Sequence, residues 1–147
     1  MARRPVAWLA AIVLLVEGLG IVLVNGVLAT VVDNQRMSLA GLDPDAMSIG
    51  TWVMGGVFGV YLALCAGILV RTAVKDRAPG RFGRIVLIAC AVVHGVLGAV
   101  TVGLVGWSAF AFMMVVVGLI VLVLLAYGSE PQRRDTEPAP ANGPAAA

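Results

Sequence analysis

The chain has 147 residues, of which 61% are hydrophobic and 12% charged, with a formal net charge of +2 and a mean hydropathy of +1.01. Soluble domains are nearer half apolar and a quarter charged, so a soluble globular domain is excluded, and so small a net charge leaves no electrostatic footprint for nucleic acid. Several apolar runs exceed the roughly 18 residues that mark a membrane span. The expected fold class is all-α: a polytopic membrane protein, a four-transmembrane-helix bundle with both termini cytoplasmic.

The first predicted span covers residues 6–32, behind Arg3 and Arg4. It is longer than the roughly 7–15 residues of a signal-peptide apolar region. It also carries Glu17 near its middle, so it is expected to stay as a span rather than be cleaved after Ala29. A polar stretch follows, ending in Asp43-Pro44-Asp45. That triplet predicts a helix start: Asp caps free N–H groups, Pro suits the first helical position, and a second Asp complements the positive end of the dipole. The second span is expected at 49–70. The loop after it holds Arg71, Lys75, Arg77, Arg81 and Arg84 around a Pro79-Gly80 turn. Residues 85–127 carry no formal charge over about twice the length of one span. Two spans are therefore expected there, at 85–105 and 107–127, with the break at Gly103–Ser108. Residues 1–128 form one transmembrane domain. Residues 129–147, rich in Pro, Ala and charge, form a disordered cytoplasmic tail.

Orientation follows from the basic residues. Arg3 and Arg4, the basic loop, and Arg133 and Arg134 fall on one side of a four-span chain, and the opposite side carries only Arg36. The positive-inside rule places the basic side in the cytoplasm of a bacterial inner membrane. Trp8, Phe82 and Tyr127 are then expected at the inner interface, and Trp52 and Trp107 at the outer one.

Glu17 and His94 are the ionisable side chains inside the predicted spans. A charge at mid-bilayer costs roughly 2.5–3.5 kcal/mol on insertion scales, so such residues are read as pairing, pathway or cofactor groups. At 1.5 Å per residue, Glu17, His94 and Tyr61 fall in one layer within roughly 3 Å of height. The sequence thus predicts a hydrogen-bonded Glu17–His94 pair, with Tyr61 as an accessory. Asn25, Thr51, Thr101 and Ser108 share a second layer nearer the outside, expected to hydrogen-bond between helices. Cys65 and Cys90 share a third level nearer the cytoplasm. By type, the two Cys with His94 and Glu17 suit zinc or copper. There is no CxxC, paired His or HExxH spacing, so no metal and no cofactor is expected. No Ser-His-Asp set, phosphate loop or carboxylate dyad is present, and no enzyme activity is expected.

Small residues recur every four positions on two helices: Gly55, Gly59, Ala63 and Gly67, then Ala91, Gly95, Ala99 and Gly103. Such a glycine zipper allows close backbone approach. It predicts that the second and third helices pack together, or that one of them dimerises.

Four short spans with Glu17 in the first resemble the small multidrug-resistance transporters, a likeness that implies proton and substrate binding at that carboxylate. The surrounding Leu15-Val16-Glu17-Gly18-Leu19-Gly20 departs from that family's pattern, as do the charge bias and the tail. In general character the chain is more similar to uncharacterised small four-span actinobacterial membrane proteins. They share an acidic residue in span one, a basic central loop and a Pro/Ala-rich tail. Arg-rich, Lys-poor usage agrees with a high-GC genome. Two functions follow as expectations. The first is a non-enzymatic accessory or interaction subunit whose partners are the lipid bilayer and another membrane protein or a second copy. The alternative is a proton-coupled transporter working as a homo-oligomer, with Glu17 as the coupling carboxylate.

Overall fold

The computed structural model describes residues 3–35, 41 and 43–128. The tail expected at 129–147 and Arg36 lie outside the described residues. Four helices follow one another: α1 (Arg3–Gln35), α2 (Pro44–Lys75), α3 (Arg81–Leu104) and α4 (Trp107–Gly128). Each is long and apolar enough to cross a membrane, and there is no strand among the described residues. Lipid offers no partner for backbone N–H and C=O groups, so an apolar run of this length satisfies them within itself as a helix.

The breaks have local causes. Asp43 Oδ1 accepts from the Asp45 backbone N–H at 2.8 Å, and Pro44 takes the first helical position of α2. α2 ends at Asp76, which adopts a left-handed φ of 48°. Between α3 and α4 the N–H groups of Val105 and Gly106 both reach the Thr101 carbonyl at 2.9 Å. Gly106 then turns the chain at φ +116°, a conformation closed to most side chains.

The helices form a ring in the order α2, α1, α4, α3. The α1–α2 interface is the most extensive, α3–α4 is second, and α2 and α3 touch least. α1 and α3 lie on a diagonal without backbone contact. On each helix a series of buried residues alternates steps of four and three, with further buried positions beside it on α1 and α2. On α1 the series is Ala7, Ala11, Leu14 and Gly18; on α2 Leu62, Ala66, Leu69 and Ala73. On α3 it is Gly83, Leu87, Cys90 and His94; on α4 Val116, Ile120, Val123 and Tyr127. This is the heptad spacing that keeps one seam facing a neighbour.

α2 and α3 touch, as expected, but their glycine stripes do not meet within the protomer. Gly55 and Gly59 face α1, where added methyl groups would lie 2.5 Å from Asn25 Cβ and from Val22 Cγ2. Ala63 and Gly67 are exposed, and Ala91 only flanks the core. A Cβ added at Gly95 or Gly103 would meet nothing, and Ala99 is exposed. A step of four residues advances 400°, so a stripe with that spacing drifts about 40° per repeat and cannot follow one neighbour.

One end of the bundle is tied by polar side chains. Arg4 donates to the carbonyls of Ala73 and Val74 at 3.0 and 3.2 Å, placing a cation on the negative end of α2. Tyr127 donates to Asp76 Oδ1 at 3.2 Å, and the Arg3 guanidinium lies 5.5 Å from its ring centre. Tyr127 is 2% exposed, buried at this end of the bundle. Trp8, Phe82, Trp52 and Trp107 are all exposed.

Candidate functional site

All four helices contribute to the core in the half nearest this tied end. Towards the other end, contacts run within hairpins: Gly26 against Trp52, Gly55 against Asn25, and Gly98 against Met113 and Met114. Glu17 and His94 lie where the shared core gives way to the hairpins. Gly18 lets α2 approach next to Glu17, its added Cβ position being 3.3 Å from Leu62 Cβ.

The structure brings Glu17 and His94 together across the α1–α3 diagonal. His94 Nε2 lies 3.1 Å from Glu17 Oε2 and 3.2 Å from Oε1. The side chains are 3% (His94) and 7% (Glu17) exposed. Two long side chains bridge helices whose backbones are not neighbours, so the pair fills the middle of the bundle.

The other ring nitrogen decides the protonation pattern. His94 Nδ1 is 2.8 Å from the Cys90 carbonyl oxygen. A carbonyl only accepts, so Nδ1 carries a hydrogen and donates. Nε2 is then the nitrogen that gains or loses a proton. Without a proton between them, a nitrogen lone pair would face a carboxylate at 3.1 Å in a dry interior. One shared proton removes that repulsion and leaves the pair with no net charge, as acid and imidazole or as carboxylate and imidazolium. Neutrality avoids the cost of a bare charge at this depth.

Below the pair sits a second polar cluster. Cys90 Sγ is 3.6 Å from His94 Nδ1. The Cys65 thiol, the Cys90 thiol and the Tyr61 hydroxyl are within interaction range of one another. Tyr61 donates to the Val86 carbonyl at 3.4 Å and meets Phe58 edge-on. Tyr61 thus belongs with the two thiols, one step removed from Glu17. Both thiols are free and buried. Among the described residues, no three His, Cys, Asp or Glu side chains converge in a metal-ligating arrangement.

The outer polar layer does not form between helices. Asn25 donates to Ile21, Thr51 to Met47 and Thr101 to Gly98, each on its own helix at 2.7–2.9 Å. A short side chain reaches the carbonyl one turn back more readily than a neighbouring helix. Ser108 is exposed. Nearer the outer end, a hydroxyl that sequence reasoning passed over does cross: Ser48 donates to the Ala29 carbonyl at 3.1 Å, from α2 to α1. The Arg4 and Tyr127 contacts were also missed. A basic residue level with a helix C-terminus was the available signal for Arg4.

No family model, no curated protein and no solved structure matches the chain. What the fold establishes is an all-α bundle whose four apolar helices are compatible with a multi-pass integral membrane protein.

Proposed function

We propose that this chain is a non-enzymatic accessory or interaction subunit of a bacterial inner membrane, with the Glu17–His94 pair as its structural latch. The observation that carries this reading is the closed geometry of the pair. Both carboxylate oxygens and both ring nitrogens are engaged, and neither side chain is open to a substrate. The outward faces of Gly95, Ala99 and Gly103 add support, since a small-residue strip suits close approach of another span. Cross-linking in native membranes, followed by purification, tests the role. One stoichiometric membrane partner is expected, lost in Gly95→Leu/Ala99→Leu while the bundle stays folded. Recovery of the chain alone, together with measurable transport in proteoliposomes, would overturn it.

The alternative, a proton-coupled homo-oligomeric transporter, draws on the shared proton and its neighbours Cys90, Cys65 and Tyr61. On that reading Glu17→Gln abolishes proton-driven flux, and unchanged flux counts against it. Both readings place the tied end and its basic loop in the cytoplasm. Reporter fusions at Ala40 and Ser108 are expected to report the outside, and fusions at Ala78 and Gly128 the cytoplasm. A cytoplasmic signal at Ala40 would reverse this topology.

A further inference from the structure

The sparse contact between α2 and α3 leaves an opening at the tied end. It is a pocket of about 410 Å³ between the last turns of α2 and the turn into α3. Ile68, Arg71, Thr72 and Lys75 line it from α2, with Arg77 and Phe82 from the connection and the start of α3. The four α2 residues stand at i, i+3, i+4 and i+7, a single helix face.

Three observations give this pocket a chemistry. Its lining contains three cations and no carboxylate; the nearby Asp76 accepts from Tyr127 on α4 instead. Thr72 is 3% exposed, yet its hydroxyl makes no hydrogen bond to any described residue and opens on the pocket. No fully enclosed side-chain N or O atom among the described residues lacks a partner, so this hydroxyl keeps an opening onto the pocket, where a ligand oxygen can reach it beside the cations. α3 also begins here, at Gly80, with no side chain capping its first turn. Its leading N–H groups and the positive end of its dipole face an anion without competition.

We propose that this pocket binds a phosphate group. Arg71, Lys75 and Arg77 supply charge, the Thr72 hydroxyl donates one hydrogen bond, and the first N–H groups of α3 complete the cradle. Phosphate offers enough acceptor oxygens for all of them. The group arrives as the headgroup phosphodiester of an anionic lipid or as free phosphate. Ile68 and the exposed Phe82 at the rim give an acyl chain an apolar path, which favours the lipid. Diffuse attraction of a basic loop to an anionic membrane counts charges and is indifferent to Thr72; a built site is not.

The test uses the full chain in neutral detergent, with phosphatidylglycerol or phosphatidylcholine added and bound lipid counted by native mass spectrometry. One phosphatidylglycerol per protomer is expected, held at least about tenfold more tightly than phosphatidylcholine. Thr72→Val should weaken it several-fold, and Arg71→Gln/Lys75→Gln about tenfold or more. Arg133→Gln/Arg134→Gln removes the same charge from the tail and should change little. A second arm titrates inorganic phosphate into lipid-free protein by calorimetry. Binding there that depends on Thr72, without lipid retention, assigns the site to soluble phosphate. Thr72→Val is nearly isosteric, so it decides the matter even where the double variant fails to fold. Retention blind to Thr72→Val, retention lost equally in the tail variant, or no binding in either arm overturns the proposal.

Discussion

Glu17→Leu and His94→Leu are each expected to destabilise the bundle by about 2–4 kcal/mol, and the double replacement to recover part of the summed loss. Each single change leaves the partner enclosed without its hydrogen bond. Removing Glu17 strands Nε2 of His94, and removing His94 strands both oxygens of a carboxyl group. The double variant has no polar group left to satisfy, and two leucines roughly refill the space. Equilibrium unfolding in bicelles measures the four species of the cycle. The coupling energy is expected at about 1–3 kcal/mol, above the roughly 0.6 kcal/mol average of interhelical hydrogen bonds in membranes. The excess reflects the shared proton: an orphaned partner must also resolve its own charge state in a dry interior. Strictly additive single effects would refute the latch.

Gly55→Ala is expected to cost about 1–3 kcal/mol, the range of an overpacked interior. The added methyl would sit 2.5 Å from Asn25 Cβ, an atom fixed to the backbone of α1, so the helices must separate. Gly59→Ala meets Val22 Cγ2 at the same distance, and Val22→Ala should rescue it by removing that methyl. Gly95→Ala and Gly103→Ala serve as the contrast. Neither methyl would meet an atom within the protomer, and Ala is favoured over Gly in a helix by up to about 1 kcal/mol. They should be neutral or stabilising in the isolated chain. Thermal unfolding of the four variants in one detergent is the measurement. Gly55→Ala tolerated as well as Gly95→Ala would contradict the α1–α2 seam.

The sequence by itself determined the number of helices and the places where they break. Apolar length is a sufficient signal because lipid forces backbone hydrogen bonds inside each segment. Asp43-Pro44 and Gly106 then punctuate by local chemistry that needs no tertiary partner. The shared depth of Glu17 and His94 was legible for the same reason: rise per residue is a property of the helix alone.

Rotation was not legible. In a soluble bundle a polar face reveals the inward side, but helices apolar all round carry no such mark. The stripe at every fourth residue was therefore read as the seam, while a series of buried positions on each helix steps by four and three. Only the tertiary structure decided that Gly55 and Gly59 serve α1 and that Tyr127 turns inward to Asp76. It also decided that Glu17 reaches His94 across a diagonal rather than along an edge of the ring. Each of these depends on the angle about a helix axis. That angle is set by how side chains from different helices fill the same space.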